Sequence, residues 1–156
     1  MYAARPPAVL IRNRQRKWKV DAARLRRLIA RVLAGEPGGE LGGEQAGVGL
    51  VLWRDEPVAR LNARYRSRSG PTDVLSFPTD PEGWPPGEPR PLGEVVISVD
   101  RAAAQACERG LRLAAELDRL AVHGVLHLLG YDDDTPARRA RMRRREDRHL
   151  RAASRR

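Results

Sequence analysis

The apolar residues of this chain follow two periods, and the changes from one to the other divide it into elements. Short runs bounded by turn residues, "AVLIRN" (8–13), "VGLVLW" (48–53), "DVLSFP" (73–78) and "GEVVISVD" (93–100), predict four strands. Between the first two, "DAARLRRLIARVLAGE" sets Leu25, Leu28, Ile29 and Leu33 at helical spacing behind Asp21, whose carboxylate can cap the start. A helix is therefore expected over 21–34. A second is predicted in "EPVARLNARYR" (56–66). After the fourth strand the pattern is helical throughout. One helix over 101–109 stops at Gly110, a long one covers 112–129, and a last one begins at "TPARRARMRRRE", where Thr135 caps and Pro136 fits the first turn.

Two connections lack either period. "GEPGGELGGEQAG" (35–47) is a glycine-rich linker without the Gly-Lys-Ser/Thr ending of a phosphate-binding loop, and 79–91 carries too many prolines for regular structure. No internal repeat is visible, and strands and helices do not alternate regularly. The expected fold is α+β: a small mixed sheet of about four strands packed with about five helices, in one domain spanning residues 1–156.

Charge narrows the partners. The chain carries a formal net charge of +10, nearly all of it from arginine, with Lys17 and Lys19 the only lysines. Such a balance favours a polyanion, because cations near phosphates gain by releasing condensed counterions. RNA, DNA and acidic membrane surfaces all fit that description. No segment reaches the roughly 18 apolar residues of a membrane span, and the N-terminal stretch has no signal-like apolar region. The single cysteine, Cys107, excludes an intramolecular disulfide, suits a reducing cytoplasm and is expected as a small core residue. A soluble, intracellular protein is expected.

The chemistry concentrates in "VHGVLHLLGYDDD" (122–134). His123 and His127 are four apart on the long helix, so both side chains leave one face and can share a cation. Their neighbours are Leu and Val on nearly every side, which buries the helix and leaves the imidazoles without local partners. Gly130 can end the helix with a left-handed residue and return the chain, bringing an aspartate towards the pair. Two imidazoles and a carboxylate make a three-ligand set with an open fourth position, the arrangement of catalytic zinc. Asp132, Asp133 and Asp134 also precede the last helix, where capping is the alternative role for each.

"HGVLHLLGYDD" (123–133) resembles the signature of the YbeY family of ribosomal RNA maturation endoribonucleases, His-Gly-x-Leu-His-Leu-x-Gly-Tyr-Asp-His. "LNARYRSRSGPTDVLSFP" (61–78) resembles the family's Leu-Asn-x-x-Tyr-Arg and Pro-Thr-Asp-Val-Leu-Ser-Phe-Pro, "LGEVVIS" (92–98) its third motif, and Met142, Glu146 and Leu150 match its last helix. The departure is Asp133, which stands where the family has its third histidine ligand. Ser67, Ser69 and Gly70 also depart from the family's common residues, while Arg66 and Arg68 stay.

The resemblance implies a zinc-dependent hydrolase of single-stranded RNA with one Zn2+ per chain, held by His123, His127 and Asp133, with Asp134 or His149 as substitutes for the third ligand. It implies a role in ribosomal RNA maturation, including the 3′ end of 16S rRNA, and in ribosome quality control alongside the small subunit or its proteins. Arg66 is implied as the catalytic cation that orients the phosphodiester, and Arg68 as a second contact to RNA. The metalloprotease consensus shares the ligand spacing but requires glutamate where this chain has Gly124, which argues against peptide hydrolysis. Asp132, a metal-bound hydroxide and the RNA's own 2′-hydroxyl remain alternatives for the general base. Two rival readings are a ribosome-associated RNA-binding factor that has lost catalysis and a metal hydrolase of small substrates.

Overall fold

The structure, a computed structural model, describes residues 9–36, 47–66, 72–80, 82, 85 and 91–154. The four expected strands form as β1 (Val9–Asn13), β2 (Val48–Trp53), β3 (Val74–Pro78) and β4 (Gly93–Ser98). Five helices are present among the described residues: α1 (Ala22–Gly35), α2 (Asp55–Arg66), α3 (Val99–Glu108), α4 (Leu113–Leu128) and α5 (Pro136–Ser154). Most of the glycine-rich 35–47 and of the proline-rich 79–91 lies outside the described residues.

Side-chain caps set the starts of α1 and α5. Asp21 Oδ1 accepts from the Arg24 amide at 3.1 Å, and Thr135 Oγ1 from the Arg138 amide at 3.1 Å. One boundary differs from the expected strand over 93–100. Ser98 Oγ accepts from the Arg101 amide at 3.1 Å, so Val99 and Asp100 open α3 instead of continuing β4. Cys107 is a second correction, because it is exposed. Helix α3 buries Val99, Ala102 and Ala106, and the next position along a helix turns about 100° away from that stripe.

The sheet runs β1-β2-β4-β3, with β1, β2 and β4 parallel and β3 antiparallel on one edge. Strand alternation gives it two apolar faces. Val48, Leu50, Leu52, Val95 and Ile97 face the main core with Leu25, Ile29 and Val32 of α1 and Leu117, Val125 and Leu126 of α4. Val51, Leu75 and Val96 face the other way, onto Val58 of α2. Covered sheets of this kind bury long apolar strands, which is why β2 and β4 read as almost continuous hydrophobic runs.

Helix α4 lies directly on β3 and β4, with α1, α3 and α5 around it. Gly124 permits that approach: a Cβ there would come within 2.5 Å of Val95 Cγ1. The Ser76 hydroxyl donates to the Gly124 carbonyl at 3.1 Å, tying the edge strand to the same turn of helix. No described helix is long and apolar enough to cross a membrane.

Candidate metal centre

With Gly124 against the sheet, His123 and His127 project from the neighbouring stripe of α4. Their Nε2 atoms stand 3.1 Å apart, and the rings meet edge to face at 81°. Beyond them Gly130, at φ +100°, ends the helix. Its amide bonds to the His127 carbonyl at 3.0 Å and that of Tyr131 to the Leu126 carbonyl at 3.0 Å, so the last carbonyls are satisfied as the chain turns back. The turn places Asp133 Oδ2 3.6 Å from His127 Nε2 and 3.8 Å from His123 Nε2. Bonds of about 2.0–2.2 Å at tetrahedral angles would separate zinc ligands by about 3.3–3.6 Å, close to this triangle. The three donor atoms all lie within 4.8 Å of one another, and the side chains are 23 %, 26 % and 44 % exposed, so solvent reaches all three.

The second ring nitrogen of His123 is also engaged. Glu146, buried on α5, pairs through Oε1 with His123 Nδ1. That contact keeps the proton on Nδ1 and turns the Nε2 lone pair towards the shared centre, as a carboxylate behind a metal-binding histidine does. Burial pushes the His127 imidazole below its ordinary range, and His123 adds to the effect, while Asp133 and Asp132 oppose it. The neutral form that results is the form a cation needs.

The other expected residues divide. Asp134 pairs with Arg138 at 3.0 Å, and Asp132 Oδ1 accepts from the Asp133 amide at 3.0 Å, so both serve the turn. His149 bonds to Glu36 at 2.5 Å. Of the three aspartates, the structure brings only Asp133 into the donor triangle with His123 and His127. Arg66 closes α2, but its side chain, and Arg68 altogether, lie outside the described residues.

Sequence reasoning left His123 without a partner. The signal for Glu146 was its place one turn after Met142, on the buried stripe of an otherwise exposed, basic helix.

The profile of the endoribonuclease YbeY family matches residues 10–154. An endoribonuclease YbeY of Moorella thermoacetica is 43 % identical over 143 residues, covering 88 % of this chain and 91 % of its own. That of Chloroflexus aurantiacus is 46 % identical over 132 residues, covering 81 % and 83 %. The Anaeromyxobacter dehalogenans relative is 47 % identical over 116 residues, and the match spans 56 % of its length. In fold, the chain is similar to the solution structure of TM1509 from Thermotoga maritima, with a TM-score of 0.59 over 93 % of this chain and 88 % of that one, at 22 % identity. A match running from β1 to the end of α5, with relatives near full coverage on both sides, establishes that the chain belongs to the endoribonuclease YbeY family.

Proposed function

We propose that this chain is a zinc-dependent endoribonuclease that cuts single-stranded RNA in the cytoplasm during ribosomal RNA maturation, including the 3′ end of 16S rRNA, and in ribosome quality control. Residues 1–156 act as one domain on this reading, with the small ribosomal subunit or its proteins as partners. The observation that carries it is the convergence of His123 Nε2, His127 Nε2 and Asp133 Oδ2 on one open point, in a chain of this family.

Those three residues would hold one Zn2+. When bound, zinc supplies a Lewis acid that makes water nucleophilic near neutral pH and polarises a phosphoryl oxygen. Glu146 keeps the His123 proton on Nδ1, and the half-buried His127 stays neutral, so both lone pairs are available. Asp133 brings a negative charge where the family has a neutral imidazole, which makes the cation a weaker electrophile. Arg66 is assigned, from the family match, as the cation for the charge that develops on the phosphate, since a planar guanidinium can orient a phosphodiester. Arg68 is assigned a second contact to the RNA on the same ground. Exposed arginines along α5 and the net charge of +10 favour a polyanionic substrate.

Purified protein with zinc should cleave a single-stranded RNA carrying the 3′ end of 16S rRNA. His127→Ala should abolish the activity, and Arg66→Ala should lower it by about 100-fold or more. RNA binding without cleavage in the wild type would instead favour a ribosome-associated assembly factor, the reading to which the arginine-rich surface of α5 also lends support.

A further inference from the structure

Three elements meet at one buried carboxylate outside the donor triangle. Glu36 follows the end of α1, and its side chain is 1 % exposed. Its Oε2 accepts from the Tyr131 hydroxyl at 2.7 Å and its Oε1 bonds to His149 Nε2 at 2.5 Å. Arg145 Nε donates to the same Tyr131 hydroxyl at 3.0 Å and stands 3.8 Å from Glu36 Oε2. Arg141 and Arg145 also lie over the Tyr131 ring, at 5.3 Å and 5.9 Å from its centroid. A buried carboxylate is tolerated only when its oxygens are fully partnered, and here the partners come from the loop after α4 and from α5.

Tyr131 connects this network to the metal centre. Its amide closes α4 on the Leu126 carbonyl at 3.0 Å, one residue before His127. It lies two residues before Asp133, whose carbonyl is held in turn by Arg139 Nη1 at 3.2 Å. The chemistry of position 133 makes this placement matter. A carboxylate reaches less far from its Cα than an imidazole, so it meets both Nε2 atoms only if the backbone is held close to α4. Flexible side-chain reach cannot make up for a misplaced loop.

We propose that Glu36 and Tyr131 are positioning residues for the metal centre, their hydrogen bond fixing the loop so that Asp133 completes the donor set. The inference rests on the zinc reading above. It assigns a role in the site to the end of α1, an element that contributes no ligand.

The test is zinc affinity by chelator competition, together with the visible spectrum of the Co2+-substituted protein, for the wild type, Tyr131→Phe, Glu36→Gln and a control, Ile29→Val. The control removes one buried methylene from the main core of the fold and destabilises without touching the loop. Tyr131→Phe and Glu36→Gln should bind zinc about 10–100-fold more weakly. Their Co2+ bands should shift and lose intensity as water replaces the carboxylate, while Ile29→Val keeps the wild-type affinity and spectrum. Tyr131→Phe retains the ring and its packing, so it carries the test even if Glu36→Gln folds poorly. Wild-type affinity and spectrum in Tyr131→Phe, or an equal loss in Ile29→Val, would overturn the positioning role and leave the zinc centre standing. A wild type that binds no zinc would overturn both.

Discussion

Gly124 decides where the two histidines stand. Helix propensity alone favours alanine at such a position by about 1 kcal/mol. Here the added methyl would meet Val95 Cγ1 at 2.5 Å, and Val95 is a short branched side chain that is itself fully buried, so it cannot swing aside. Overpacking of this kind costs about 1–3 kcal/mol. Gly124→Ala should therefore lower the melting temperature, and thermal unfolding of the two apo proteins checks it; an unchanged or raised midpoint would mean that α4 moves off the sheet freely. In sequence Gly124 signalled only the lack of a protease glutamate. Its packing role depends on a strand about thirty residues earlier and could not be read from spacing. The same limit hid the pairings of Glu146 and Glu36, whose partners lie 23 and 95 residues away. The histidine pair and the glycine turn were legible because helical geometry links residues a few positions apart.

At the scale of elements, apolar period and caps locate each described strand and helix within a few residues, but they do not say which strand lies beside which. The order β1-β2-β4-β3 is settled by burial on both faces of β2 and β4, together with parallel pairing. The junctions between elements are equally non-local. Asp100, in the first turn of α3, accepts from Trp18 Nε1 at 2.9 Å, Arg54 Nε at 2.8 Å and the Asp55 amide at 2.8 Å. It thereby joins the segment after β1, the β2–α2 turn and α3. Burial alone raises its pKa, but hydrogen bonds from Trp18, the Asp55 amide and Arg54 outweigh that and lower it from the ordinary 3.8 to about 2. Because the folded value is depressed, the stabilisation is complete above the ordinary carboxylate value and disappears as pH falls through about 2. Asp100→Asn should lose roughly 1–3 kcal/mol at neutral pH. Urea unfolding followed from neutral pH downwards should show the gap between the two proteins closing below about pH 4. A gap independent of pH would show that the carboxylate charge plays no part.

At the scale of the molecule, the fold brings together pieces spread along the chain. Helix α4 supplies two donors, the loop beyond Gly130 the third, α5 the carboxylate behind His123, and the end of α1 the buried Glu36 beneath Tyr131. The family motifs mark the first three groups but not Glu36. They give no account of Asp133 in place of histidine, and that substitution makes zinc binding the claim on which the account depends. The most direct measurement is metal content per chain, by mass spectrometry, of wild type and Asp133→Ala purified without chelator. The account predicts close to one zinc per wild-type chain and clear loss in the variant. Equal zinc in both would move the third ligand away from Asp133, and no metal in either would contradict the catalytic centre itself.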